Sequence, residues 1–306
     1  RNFFAALERT AVIVWMTLAM ALLNALLNWI LIFGNWGAPA LGLQGAAWAT
    51  LVANSAGFLG MALMAKLDPV AQPFEILTRL WKPDWPAFAR VFGLGFPIAL
   101  TILAEAGLFG FTSIMMGWRG TVELAAHGIA LQLVSFSFMV PLGLSQAASV
   151  RVASEAGKGD PAGVHLASNA IYITSVGFAV VAAVIFLLMP EPLIRLFLDE
   201  SKNDVRSEIT VAVSLLFMGA LFQIFDTLQV ASAGNLRGLQ DTKWPMVIAA
   251  VAYWPVGVGT AYLFGFTLGW GGVGVWSGLV VGLACAAAVL TWRFGQRERF
   301  GLLSKA

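Results

Sequence analysis

Eight long apolar runs, at about 11–33, 43–64, 94–117, 124–149, 166–189, 209–234, 244–266 and 272–292, set what this chain can fold into. A helix that crosses the hydrocarbon core of a bilayer needs ~20 mostly apolar residues, whereas a barrel strand needs only ~9–11 and alternates apolar with polar. The runs are far longer than strands and show no period-two alternation. Irregular backbone cannot face lipid, because its amides would lack partners. The expected fold is therefore all-α: a polytopic membrane protein with eight transmembrane helices. Composition agrees, since 59% of the 306 residues are hydrophobic and 11% are charged. A soluble domain carries roughly a quarter charged residues, and could not hide this much apolar surface from water.

The connections between runs alternate in charge. Of the 18 Lys and Arg, 14 fall on the side of Arg1, and four (Arg119, Arg195, Lys202 and Arg206) on the other. The positive-inside rule places the first side, with both ends of the chain, in the cytoplasm. The segment 66–92 carries four of the prolines and an amphipathic stretch, Phe74–Trp81, suited to lie on a membrane surface. It is read as a linker between a first segment, 1–65, and a second, 93–294, with 295–306 a cytoplasmic tail. The loop 190–208 is polar and placed outside. Arg1 rather than Met stands first and no leader pattern precedes the first run, so the chain is expected to begin within a longer protein.

Two parts of the chain echo one another. Arg9-Thr10 precedes an apolar run and then Gly42-Leu43-Gln44-Gly45-Ala46-Ala47-Trp48. Asp241-Thr242 precedes another, and then Gly271-Gly272-Val273-Gly274-Val275-Trp276. Such an echo is expected where a transporter is built from a duplicated half.

Only two of the 16 acidic residues, Glu105 and Asp226, lie deep within apolar runs. A carboxylate at the bilayer centre costs several kcal/mol, about 2.5–3.5 on insertion scales. Such a group must pair with a base, remain protonated or bind a cation, and no Lys or Arg lies at comparable depth. Protonation and cation binding are what an ion-coupling site requires. A purely structural role, a protonated carboxyl bonded to a neighbouring helix, is the competing reading. Gln223 shares a helical face with Asp226, and Gln229 sits about 60° round from it. Gln132, Ser135, Met139 and Gln146 line one face of their run, which Pro141 interrupts. Asn24 and Asn28 form a similar stripe in the first run. Each stripe fits a cavity lining or ordinary interhelical bonding. His127 and His165 are read as lying near helix ends, and Trp254, Trp270 and Trp276 as interfacial belt residues. The single cysteine, Cys285, allows no disulfide within the chain and no zinc spacing. No phosphate loop, nucleophile elbow, zinc-protease motif or dinucleotide fingerprint occurs, so an enzyme is not expected.

The run from 93 to 163 is the most specific part of the sequence. Pro97 opens its first helix, Leu124-Ala125-Ala126-His127 follows a short outer loop, Pro141-Leu142-Gly143-Leu144-Ser145-Gln146-Ala147 occupies the second helix, and Gly157-Lys158-Gly159-Asp160 closes the pair. This resembles the opening helix pair of a lobe in the MATE (multidrug and toxic compound extrusion) family. Phe222-Gln223-Ile224-Phe225-Asp226-Thr227-Leu228-Gln229-Val230 with Gly234-Asn235-Leu236-Arg237-Gly238 resembles the tenth helix of its NorM-type branch. The resemblance covers helices five to twelve of twelve. It makes 1–65 the last two helices of an amino-terminal lobe and 93–294 a complete six-helix carboxyl-terminal lobe.

What the resemblance implies is a V-shaped pair of bundles exporting cationic or amphipathic compounds against sodium ions or protons. Glu105 and Asp226 match carboxylates of the family's cation site, and would be the metal ligands if the ion is sodium. Gln132, Ser135, Met139, Gln223, Phe222, Asn24 and Asn28 would line the substrate cavity. Phe222 departs from the pattern, standing where some relatives carry a tyrosine. No cofactor beyond the coupling ion is expected; the partners are small molecules and the lipid bilayer, not nucleic acid, and the chain is expected to act as a monomer. A lipid-linked oligosaccharide flippase of the same superfamily is the alternative. Such proteins generally place basic residues in the cavity, and the deep spans here have none.

Overall fold

The structure is a computed structural model describing residues 2–7, 9–74, 83–198 and 205–303. Among them, eight helices are long and apolar enough to cross a membrane. They fall into two compact units, Arg1–Trp85 and Pro86–Ala306.

In the first unit, the short helix α1 (Asn2–Ala6) precedes α2 (Thr10–Phe33) and α3 (Leu43–Leu67). Gly34 stops α2 in the left-handed region at φ 73°, its N–H returning to the Ile30 carbonyl. The residues of α3 that are buried are all small and spaced by four: Gly45, Ala49, Ala53 and Gly57. Such a stripe lets two helix backbones approach closely without polar glue. A methyl group on Gly45 would collide with the backbone of Leu31 in α2, and one on Gly57 with the Met20 side chain. Arg9, just ahead of α2, donates to Asp68, just past α3, at 3.0 and 3.1 Å. The pair ties the open ends of the hairpin, and the Arg9 guanidinium bonded to Asp68 holds that carboxyl below its ordinary range.

The second unit runs through α4 (Trp85–Arg119), α5 (Thr121–Gly157), α6 (Pro161–Leu188), α7 (Pro190–Arg195) and α8 (Val205–Gly238). Its last two spans are Lys243–Thr267 and α11 (Gly271–Gly295). The former is composite: α9 (Lys243–Val251), a π-helical stretch Ala252–Val258, α10 (Gly259–Tyr262) and a second π-helical stretch Leu263–Thr267. Pro255 lies inside the first π stretch, where its missing N–H and bulky ring cannot join a regular i→i−4 ladder. Helix α8 is central, packing on α5, α11 and α6. Asp160 caps α6 by accepting from the Ala162 N–H at 3.0 Å, with Pro161 in the first turn. The small-residue device recurs in α11. Gly274, Gly278 and Gly282 face the Lys243–Thr267 span so closely that a Cβ on Gly278 would meet the Ala261 backbone. Outward, α4 and α6 present Phe88, Ile102, Leu103, Leu166 and Ile173, a surface suited to acyl chains.

Several boundaries differ from the sequence reading. Helix α4 begins at Trp85, inside the segment 66–92 read as linker, and Phe88, Phe92 and Phe96 stack along it. Of the amphipathic stretch read at 74–81, Phe74 ends a 3₁₀ turn and the rest lies outside the described residues. The polar loop 190–208 contains α7, whose Ile194 is fully buried.

The echo between the two halves is better aligned on glycines than on tryptophans. Gly42 and Gly45 have the spacing of Gly271 and Gly274, but Trp48 follows Gly45 by three residues and Trp276 follows Gly274 by two. One residue turns a side chain by ~100°. Trp48 is accordingly 56% exposed and Trp276 fully buried. Trp276 is therefore a core residue and not the interfacial anchor expected, whereas Trp254 and Trp270 do stand exposed. Asp241 and Arg293, joined at 2.6 Å, tie the ends of the last helix pair as Arg9 and Asp68 tie the first, with the charges exchanged.

Candidate functional site

Glu105 stands on α4 and Asp226 on α8, antiparallel helices that meet through aromatic rings. Phe109, one turn beyond Glu105, lies 5.9 Å from Phe222, one turn before Asp226. Because the helices run in opposite directions, stepping back one turn from Phe109 and forward one turn from Phe222 reaches the two acids at the same level. Asp226 is 2% exposed, and its Oδ1 has no hydrogen-bond partner among the described residues. Glu105 is partly buried, so the two members of the pair differ in enclosure. Arg237, in the last turn of α8, is within electrostatic reach of Glu105. Helix geometry carries Arg237 ~16 Å along α8 from Asp226, too far for direct pairing there.

Around Asp226 the polar side chains of α8 recur at every third position: Gln223, Asp226, Gln229, Ser232 and Asn235. All five are at most 2% exposed. A three-residue repeat advances 300° per step, so the stripe winds round the helix, which suits one packed on several sides. Gln223 Nε2 reaches Thr227 Oγ1 at 3.5 Å, while the Oε1 atoms of Gln223 and Gln229 are buried without partners among the described residues. Ser232 donates to the Leu228 carbonyl and lies 3.0 Å from the Tyr172 hydroxyl and 2.9 Å from Thr291 Oγ1, joining α8 to α6 and α11. Gln223 thus bonds along its own helix to Thr227, and Gln229 has an acceptor that bonds nothing among the described residues.

Phe222, expected at a cavity wall, is 1% exposed and wedged between Phe109 and Trp276. It is core packing: its ring sets the spacing of α4, α8 and α11. Gln132 and Met139 project from the exposed face of α5, with Ser135 half-buried, opposite the buried face of His127, Val134, Pro141 and Ser145. Asn24 and Asn28 belong to the first unit, where Asn28 donates to Asn24 at 2.9 Å.

His127, read as interfacial, is instead buried at 1% exposure and joins three helices. The Trp276 indole N–H donates to its Nδ1 at 3.1 Å, and Ser113 Oγ lies 3.0 Å from its Nε2. An indole N–H only donates, so Nδ1 accepts and Nε2 carries the hydrogen toward Ser113. Ser113 passes its own proton to the Phe109 carbonyl. Sequence reasoning missed this because α5 begins at Thr121, three residues before the expected run, which puts His127 well inside the helix. Tyr253 was also passed over, as a neighbour of Pro255. It is fully buried, its hydroxyl has no hydrogen-bond partner among the described residues, and it packs in the same cluster as Phe222 and Phe109.

The architecture is shared with known transporters. A eukaryotic MATE transporter superposes with a TM-score of 0.83 at 23% identity, over 98% of this chain and 67% of that one. A Vibrio cholerae MATE transporter gives 0.85 at 16% identity, over 99% of this chain and 66% of that one. Closer in sequence are two curated relatives, each called "Probable multidrug resistance protein NorM". The one from Rhizobium meliloti is 49% identical over 297 residues, and the one from Agrobacterium fabrum 42% over 294. The alignments take in 96% of this chain, which spans 63% of the length of each relative. The chain is a multi-pass protein of the bacterial inner membrane, with its eight spans. The MatE family profile matches residues 97–263, more than half of the chain and the very stretch that carries Glu105, His127, Asp226 and Tyr253, and the chain is a member of that family.

Proposed function

We propose that the chain belongs to a secondary active exporter that moves organic cations and amphipathic drugs outward in exchange for sodium ions or protons, with Glu105 and Asp226 holding the coupling cation. The observation that supports this most directly is the apposition of two membrane-embedded carboxyls at one level of the second unit, one enclosed with a free oxygen and the other partly open. An electroneutral exchange needs a site that is satisfied either by a cation or by a proton, and an acid without a fixed partner meets that condition. The relatives' name, a multidrug resistance protein, supports the substrate class. The residues describe a carrier: the site offers carboxyl and amide oxygens, no activated nucleophile and no group to take its proton. Gln132 and Met139 on the exposed face of α5 are suited to meet an amphipathic substrate, methionine by its soft and adaptable surface. We infer a monomer as the working unit.

The test is efflux of a fluorescent organic cation from cells expressing the complete gene, in sodium and in potassium media, with and without a protonophore. Efflux should follow one ion gradient and disappear in Glu105→Gln and Asp226→Asn while both variants still insert in the membrane. Full efflux by either variant would remove the basis of the assignment.

A further inference from the structure

Two carboxyls rarely complete the coordination of a small hard cation, which takes several oxygens, charged and neutral. The neutral oxygens near Asp226 are limited in kind. The amides of Gln223 and Gln229 lie on the same helix as Asp226, and so add nothing that ties a further element to the ion. Tyr253 differs. It sits in the π-helical stretch Ala252–Val258, on the span that packs along α11.

The chain has three tyrosines, and their hydroxyls meet different fates. Tyr172 is bonded to Ser232 at 3.0 Å, and Tyr262 is 55% exposed. Tyr253 alone is fully buried with its hydroxyl unbonded among the described residues. A buried hydroxyl without a partner opposes folding, and phenylalanine would fill the same volume without that cost. Tyr253 packs in the same buried cluster as Phe222 and Phe109, the rings one turn from Asp226 and Glu105, the two groups the exchange reading needs. The π-helical stretch around Pro255 also places this residue. Widening a helix by one residue per turn re-aims the side chains beyond it, and such turns recur at functional sites.

We propose that the Tyr253 hydroxyl is a further ligand of the monovalent cation held by Glu105 and Asp226. The inference rests on the exchange reading above and adds a third element to it. A bound cation would join α4, α8 and the Lys243–Thr267 span at one point, so that its arrival and departure act on the position of that span. The same oxygen lone pair serves a sodium ion directly or, for a proton, an exchanging hydrogen bond. The titratable and charged groups within reach are Glu105, Asp226 and, through Glu105, Arg237.

The experiment is transport of a fluorescent organic cation by the complete protein in proteoliposomes, with Tyr253→Phe compared with wild type. One arm titrates sodium at fixed pH, and the other titrates pH without sodium. The expected result is a rise of roughly tenfold or more in the half-saturating concentration of the coupling ion, whichever arm responds, with the maximal rate retained. Thermal stability of Tyr253→Phe should equal or exceed wild type, because an unpartnered hydroxyl has been removed. Unchanged ion dependence in both arms overturns the proposal, as does a marked loss of stability, which would mean that the hydroxyl serves the fold. Glu105→Gln is run in parallel. If it abolishes coupling while Tyr253→Phe behaves as wild type, the tyrosine assignment alone fails. If Glu105→Gln keeps the wild-type dependence of transport on the ion, the exchange reading fails.

Discussion

Removing the imidazole of His127 offers a quantitative test of how the second unit is held together. In His127→Leu the Trp276 indole N–H loses its acceptor in a site where Trp276 is fully buried. Ser113 keeps its bond to the Phe109 carbonyl, so only one donor is orphaned. Leaving a buried donor unpaired costs about 1–3 kcal/mol. Hydrogen bonds between membrane helices are usually weaker in double-mutant cycles, averaging about 0.6 kcal/mol with a maximum near 1.7, because the partner finds another group. Trp276 packs edge-on against both His127 and Phe222 and leaves its N–H no obvious second acceptor. A coupling energy near the upper limit, ~1.5 kcal/mol, is therefore expected between His127→Leu and Trp276→Phe. The assay is unfolding in mixed detergent micelles for wild type, both single variants and the double variant. Additive single effects, with coupling below about 0.3 kcal/mol, would show that the bond contributes nothing and that His127 is ordinary filling.

Other expectations concern the helix hairpins. Asp241→Asn leaves the buried Arg293 guanidinium, stacked on Trp244 and Phe300, without its counter-charge, and should cost about 3 kcal/mol in the same unfolding assay. Exchanging the pair, Asp241→Arg with Arg293→Asp, should recover part of that loss, because the first hairpin works with the opposite order. Gly278→Val should prevent α11 from seating on Ala261 and lower the yield of folded protein sharply, whereas Gly259→Ala, which meets nothing nearby, should be tolerated. Acidification provides a check on the first unit. Asp68 lies below the ordinary carboxylate range because Arg9 bonds it, so its contribution is fully present above that range and is lost only as pH falls through the lowered value. Wild type should therefore keep its advantage over Asp68→Asn at mildly acidic pH; an advantage that vanishes near the usual value of ~4 would contradict the pairing.

The spans were legible because lipid imposes a length and a polarity that few other environments demand, and Glu105 and Asp226 stood out for the same reason. Helix ends were less legible. Trp85–Arg90 reads as linker because charges and a proline occur there, yet an amphipathic end can continue a helix past the hydrocarbon into the interface. The orientation of aromatic residues could not be read, since eight apolar faces look alike in composition. Trp48 and Trp276 follow similar glycine motifs, yet one is exposed and the other buried, because one residue turns a side chain by ~100°. His127 carries no neighbouring partner in sequence; its partners, Ser113 and Trp276, come from other helices, and only packing brings them together. One signal was available and went unused in full: the polar residue at every third position from Gln223 to Asn235, which distinguishes α8 from every helix with one lipid-facing side. The small-residue stripe Gly45, Ala49, Ala53 and Gly57 was equally readable, and marks the close face of α3 before any coordinates are seen.

Direct ion binding tests the central claim most sharply. Equilibrium titration of the purified complete protein with sodium chloride, followed by calorimetry and by proton release into weakly buffered solution, reports whether two embedded acids take up a monovalent cation. Wild type should either bind sodium with release of a proton or take up a proton with acidification alone, and the double variant Glu105→Gln with Asp226→Asn should do neither. Undiminished cation uptake by the double variant would place the coupling site elsewhere and contradict the account.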